Sequence, residues 1–118
     1  MRSSCITHPA REPLLVIRKS QIDFCQGNVC AAALLSFFDQ NCTPGEKHAF
    51  SSKELSDGIL QLYGHKKITQ GINLLVQLGA VEVFQAWSDL SLRYEKTRYF
   101  LFNPSVVNAW IESNEDEN

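Results

Sequence analysis

Four polar residues spaced like one face of a helix form the first candidate site in this sequence. They follow one another at intervals of four, three and four residues, and they are Lys66, Gln70, Asn73 and Gln77. A helix would align their side chains in one stripe. Residues 65–78 contain no carboxylate, whereas amides can pair with base edges and a lysine suits a phosphate. The stripe therefore predicts contact with nucleic acid, and a surface helix without a partner is the alternative.

The start of the same helix carries a second indication. Lys66 and Lys67 fall in the first turn, at the positive end of the helix dipole, where a positive charge costs about 0.3–1 kcal/mol. A phosphate bound there would make both charges favourable. The complete set of DNA contacts predicted on this helix is His65, Lys66, Lys67, Thr69, Gln70, Asn73 and Gln77.

A second basic group lies in or beside the polar segment that follows this helix. Arg93, Lys96 and Arg98 stand there with the acidic Asp89 and Glu95. Basic side chains on the loop of a β-hairpin can reach phosphates or the minor groove. The three basic residues are therefore predicted to be DNA contacts of a wing, and a mixed-charge hairpin without that role is the alternative.

The pattern of apolar and capping residues predicts the elements that position these side chains. A central helix over residues 28–40 is apolar nearly all round, with Asn28 as its cap. Ser51 and Glu54 form a capping box that starts a helix through Leu62. A tight turn with Gly64 then leads into the helix over residues 65–78. The remaining predictions are a short helix at 20–25 capped by Ser20, strands at 81–84 and 97–102, a helix at 105–111, and a strand or extended segment at 14–17.

This order of elements is the organisation of a winged helix-turn-helix domain. The expected fold class is α+β, mostly helical, with a two- or three-stranded antiparallel wing. A chain of 118 residues fits one such domain. The domain is expected over residues 13–111, after a flexible N-terminal arm at 1–12 and before an acidic disordered tail at 112–118.

Composition and charge distribution set limits on the partner and the location. The net charge is −2, but four of the 13 acidic residues lie in the last seven positions, so residues 1–111 are weakly positive. A hydrophobic content of 44% excludes disorder as the main state of the chain. No apolar run reaches membrane length, and the N-terminal residues lack the apolar core of a signal peptide, so export is not expected. A cytoplasmic protein without a membrane partner is therefore expected.

Other kinds of chemistry have little support in the sequence. A P-loop, a dinucleotide fingerprint and H-E-x-x-H are absent, so neither an enzyme nor a cofactor is expected. The three histidines lack metal-ligand spacing and the four cysteines form no C-x-x-C pair, so no metal site is expected. A thiol- or metal-responsive switch through Cys25 and Cys30 stays open as an alternative.

Three blocks of the sequence carry a resemblance to known proteins. NVCAAALLSFF, SDGILQLYG and KTRYFLFNPSVVNAW resemble a group of small cyanobacterial winged-helix proteins, and they cover about a third of the chain. The arrangement is also similar to winged-helix modules of phage and plasmid replication proteins, and to the MerR-like repressors encoded beside CRISPR-associated transposons. The long dimerising C-terminal helix of typical MerR regulators is missing here, so residues 14–25 are expected to form the dimer surface.

The resemblance implies a dimeric DNA-binding regulator of a mobile element. The recognition-helix positions that it implies are Lys66, Lys67, Gln70 and Asn73, and the wing positions are Arg93, Lys96 and Arg98. The function expected is a homodimer that binds double-stranded DNA sequence-specifically and represses transcription by occluding a promoter. The alternative is a winged-helix protein-interaction or replication-initiation module with weak, non-specific DNA binding.

Overall fold

Five helices and three strands make up the part of the chain that the structure, a computed structural model, describes: residues 11–87 and 96–115. The strands form one antiparallel sheet in the order β1-β3-β2, so the expected α+β class is confirmed. The elements are α1 (Lys19–Phe24), α2 (Val29–Asn41), β1 (Lys47–Ala49), α3 (Ser52–Gly58), α4 (His65–Gln77), β2 (Val81–Trp87), β3 (Lys96–Phe102) and α5 (Pro104–Glu115).

The central helix, α2, is buried on every side because small and apolar residues surround its axis. All residues from 30 to 38 are buried. Asn28 caps the helix as predicted, since its side chain accepts a hydrogen bond from the Ala31 N–H at 3.0 Å. The ring centroid of Phe38 lies 5.3 Å from that of Phe100 on β3, and this contact joins α2 to the sheet.

Two glycines set how closely the neighbouring helices pack on α2. A Cβ added at Gly71 of α4 would come within 2.9 Å of Leu34 Cδ1 and 3.3 Å of the Ala31 nitrogen. Gly58 of α3 lies against the ring of Phe37 in the same way. The absence of a side chain at these positions lets α3 and α4 approach α2 directly.

The sheet contains one strand that the sequence pattern did not predict. β1 spans three residues without apolar alternation, and it pairs with β3 so that His48 lies opposite Phe100. β2 pairs with the other edge of β3. Phe100 and Phe102 face the core and are buried, whereas Phe84 lies on the opposite face with 37% of its surface exposed.

The end of α3 differs from the prediction. The helix ends at Gly58 and not at Leu62. The Gln61 N–H donates to the Ser56 carbonyl at 2.8 Å and the Leu60 N–H to the Asp57 carbonyl at 3.1 Å, which is a Schellman motif. The apolar residues that suggested another helical turn lie in the connection to α4. That connection covers residues 59–64 and is longer than the predicted tight turn.

Several other element boundaries also differ from those predicted. α1 begins at Lys19, with Arg18 and not Ser20 as its cap, and residues 14–17 have no regular secondary structure and do not join the sheet. The Ser36 hydroxyl donates to the Val16 carbonyl and holds that segment on α2. α5 continues to Glu115, four residues beyond the end predicted for the last helix. Most of the predicted arm, residues 1–10, and the end of the predicted tail, residues 116–118, lie outside the described residues.

Candidate nucleic-acid interface

Helix α4 is amphipathic, and its buried side fixes which residues face outward. Ile68, Ile72 and Leu75 are at most 5% exposed and pack in the core. Val76, which the periodicity places beside them, is 42% exposed and forms the border of the buried face. Because the apolar side is held against the core, rotation of α4 about its axis would expose large apolar surface. The outward face is therefore set by packing.

All members of the predicted stripe lie on this outward face. Each is exposed, and none of these side chains makes a hydrogen bond or ion pair within the described residues. The four are Lys66, Gln70, Asn73 and Gln77. The structure thus brings the predicted stripe together as one exposed row of donors and acceptors that can bind an external partner.

The first turn of α4 carries positive charge without compensation from its own helix. His65, Lys66 and Lys67 are exposed, Gly64 at the N-cap offers no side-chain acceptor, and the first turn has no acidic residue. Helix dipole and side chains therefore both favour an anion at this end of α4. Thr69, the remaining predicted contact, is half-buried at the border of the stripe.

A groove of about 410 Å³ runs beside this turn. One wall is the turn between α1 and α2, with Gln26 and Asn28, and the other includes Tyr63, Lys67 and Gln70. The first turn of α2 borders the same groove, so the N-terminal ends of two helices lie at one concave surface. Sequence reasoning identified Asn28 as a cap but did not place this turn beside α4, because the contact depends on the tertiary fold.

The thiol of Cys30 connects the floor of this groove to α4. Its Sγ donates a hydrogen bond to the Lys67 carbonyl at 3.4 Å. Burial raises the pKa of Cys30, and the positive charge of Lys67 partly opposes that rise. The thiol therefore stays protonated at neutral pH and can donate its hydrogen bond to the first turn of α4.

The structure describes two of the three predicted wing residues, and both lie on β3. Lys96 is the first residue of β3 and pairs with Trp87 at the far end of the β2–β3 hairpin. Arg98 lies further along β3, where its Nη2 donates to Ser52 Oγ at 3.2 Å and its guanidinium carbon is 5.7 Å from the Phe100 ring centroid. Arg98 thus joins the sheet to the start of α3. Arg93 lies outside the described residues.

The residues considered for metal chemistry do not form a metal site in the described part of the chain. Cys25, Cys30 and Cys42 are free and buried. Within residues 11–87 and 96–115, no three His, Cys, Asp or Glu side chains are arranged to hold a metal ion. Over the same residues, no helix has the length and apolar character needed to span a membrane.

Comparison with known proteins identified no relative of this chain. No family model, no curated protein and no solved structure matches the chain.

Proposed function

We propose that this chain is a winged helix-turn-helix protein that binds double-stranded DNA through α4 and acts as a sequence-specific transcriptional regulator. The order of elements supports this fold: α3 and α4 are followed by the antiparallel β2–β3 hairpin, with β1 as third strand. The resemblance of the three sequence blocks to small cyanobacterial winged-helix proteins agrees with it.

One observation carries the proposal. α4 presents an exposed row of one lysine and three amides, opposite a buried apolar face, and the helix has no carboxylate to repel DNA. Amides add little to a solvated surface, whereas in the major groove they can form paired hydrogen bonds to adenine. Lys66 lies in the first turn and Asn73 two turns later, which suits a phosphate contact and a base contact respectively.

The groove beside α4 supports a second phosphate contact. Lys67 and the first turn of α2 face this concave surface, and a helix N-terminus favours an anion. A duplex that receives α4 in its major groove has a phosphate backbone along each side of that groove. The groove between α4 and the α1–α2 turn is therefore the position proposed for one of these backbones.

A single α4 reads only one half-site, so the proposal includes a homodimer that binds a site with two-fold symmetry. Bound at a promoter in the cytoplasm, the dimer would repress transcription by excluding the polymerase. Regulation of a mobile element is the biological setting that the resemblance implies. The experiment below tests binding at one promoter, that of the protein's own gene.

The test is fluorescence anisotropy with the duplex upstream of the protein's own gene and with a shuffled duplex of the same composition. We expect Asn73→Ala to lose about 1–3 kcal/mol of binding free energy on the upstream duplex and much less on the shuffled one. Gln40→Ala is the matched control, because Gln40 is an exposed amide on α2. Equal losses on both duplexes would overturn base reading, and no difference between wild-type affinities would overturn the regulator and favour a non-specific interaction module.

A further inference from the structure

A second concave site lies where α1, the end of α2 and α5 meet. It encloses about 190 Å³ and includes no residue of α4. Leu35, Phe102 and Val107 form its apolar floor and are at most 7% exposed. Sites for drug-sized molecules measure about 300–1,000 Å³, so this pocket suits a smaller molecule.

Two opposite charges stand at the rim of this pocket. Arg18 precedes α1 and Asp39 lies in the last turn of α2, and both are exposed. They lie beyond ion-pair distance from each other, and neither side chain has a hydrogen-bond or ion-pair partner in the described residues. Asp39 also stands near the negative end of the α2 dipole, which costs about 0.3–1 kcal/mol. Stability of the fold therefore does not explain this pair.

The arrangement is complementary to a zwitterion with an apolar side group. A guanidinium binds a carboxylate through paired hydrogen bonds, and a carboxylate binds an ammonium group. Ser20 and Asn108 add neutral hydrogen-bonding groups to the wall. The buried floor offers apolar contact for a branched aliphatic side chain.

We propose that this pocket binds a small aliphatic α-amino acid, with its carboxylate at Arg18, its ammonium group at Asp39 and its side chain on Leu35, Phe102 and Val107. The site is separate from α4, and binding there does not depend on the function proposed above. It assigns the chain a small-molecule ligand in addition to any nucleic acid.

The experiment is a titration of the full-length, ¹⁵N-labelled protein with L-valine, followed by the amide signals of Val107 and Asn108 in ¹H–¹⁵N spectra. Isovalerate and isobutylamine are the matched probes, because they are valine without its amino group and valine without its carboxylate. We expect saturable shifts with L-valine and at least tenfold weaker binding of each probe. Equal binding of either probe would overturn the zwitterion assignment.

Two variants test which residue of the pocket binds each charged group of L-valine. Arg18→Gln and Asp39→Asn should each weaken L-valine binding at least tenfold. Arg18→Gln should bind L-valine no more tightly than isobutylamine, which lacks the carboxylate. Asp39→Asn should bind L-valine no more tightly than isovalerate, which lacks the amino group. The controls Lys53→Gln and Glu82→Gln make the same charge changes at exposed positions outside the pocket and should not alter binding. No saturable shift at Val107 and Asn108 below about 10 mM L-valine, or unchanged binding by both pocket variants, would overturn the proposal. DNA is absent from this assay, so its failure is distinct from a failure of DNA binding.

Discussion

Gly58 on α3 and Phe37 on α2 lie in direct contact, and a Cβ built at Gly58 would stand 2.1 Å from Cδ1 of the Phe37 ring. Phe37 is itself buried and stacks edge-on against Phe38 and Phe50. The ring therefore has little room to move away. A residue without a side chain at position 58 is a condition for α3 to pack on α2.

Gly58→Ala should destabilise the fold although alanine is the better helix former. Overpacking costs about 1–3 kcal/mol, which exceeds the gain of about 1 kcal/mol in helix propensity. Urea unfolding measures the difference. The double variant with Phe37→Leu should lose less than the sum of the two single variants, because leucine vacates the space that the new Cβ needs. Additive losses would show that the contact between position 58 and the Phe37 ring is not the cause of the destabilisation.

Three of the helices in the described residues end with the same hydrogen-bond pattern, but only one of the three has glycine at the left-handed position. Gly79 follows α4 with φ 84°, whereas Gln26 after α1 and Leu60 after α3 have φ 59°. Gln26 is exposed, so Gln26→Gly should raise the free energy of unfolding by about 0.5–1 kcal/mol through relief of strain. Gly79→Ala should lower it by about 1 kcal/mol. A destabilising Gln26→Gly would contradict this assignment of strain.

Stability should fall at alkaline pH because of buried thiols. Burial raises the pKa of both Cys25 and Cys42 to about 11, from 9.0 for an exposed thiol. The native state then holds more protons than the unfolded state above pH 9, so the contribution of each thiol is complete below about pH 9 and is lost as pH rises through about 11. Each loss amounts to about 2–3 kcal/mol.

Urea unfolding at pH 8 and at about pH 10.5 measures this effect under reducing conditions. Cys42→Ala removes one titrating thiol and leaves lysines and tyrosines unchanged, so its stability should depend less steeply on alkaline pH than that of the wild type. If the stability of the two proteins depends on pH identically, Cys42 does not contribute to the loss of stability at alkaline pH.

Lys66 should act on DNA through charge alone. Its side chain has no partner in the described residues, so Lys66→Ala should not destabilise the fold and should raise its stability by at most about 1 kcal/mol, because it removes a positive charge from the N-terminal end of α4. The slope of log affinity against log salt should become shallower by about 1, on every duplex alike. Lys19→Ala is the control, because Lys19 is an exposed lysine on α1 that pairs with Asp23 at 2.7 Å. An equal change of slope in both variants would exclude Lys66 as a specific phosphate contact.

Local patterns predicted the helices that carry most of the core. The cap at Asn28 was predicted correctly, and the capping box is present because Ser51 and Glu54 each accept a hydrogen bond from the other's backbone N–H. The exposed stripe of α4 also follows from the sequence, since the 3.6-residue period separates its apolar and polar sides. These features depend on residues within a few turns of each other.

Most of the features that were missed depend on distant parts of the chain, whereas the early end of α3 depends on a local competition. β1 has no apolar alternation and becomes a strand because β3 offers it an edge. α3 ends early because a left-handed turn at Leu60 competes with another helical turn, and apolar periodicity does not separate these outcomes. Arg98 lies within the strand predicted at residues 97–102, where the two-residue period places it on the same face as Phe100, but its hydrogen bond to Ser52 was not predicted because it depends on the fold. The pocket of Arg18 and Asp39 could be found only from the fold.

The hydrogen bond from Cys30 to the Lys67 carbonyl has a consequence for how a partner must adapt. It fastens the beginning of α4 to the most deeply enclosed helix of the protein, while Gly71 holds the middle of α4 against that helix. Through these two contacts the backbone of α4 is a template that fixes the spacing of the stripe residues, while their exposed side chains stay free of hydrogen bonds within the described residues. A duplex bound to this template would have to supply the bending and twisting of the complex itself, so sequences that deform easily would be selected even at base pairs that the protein never touches.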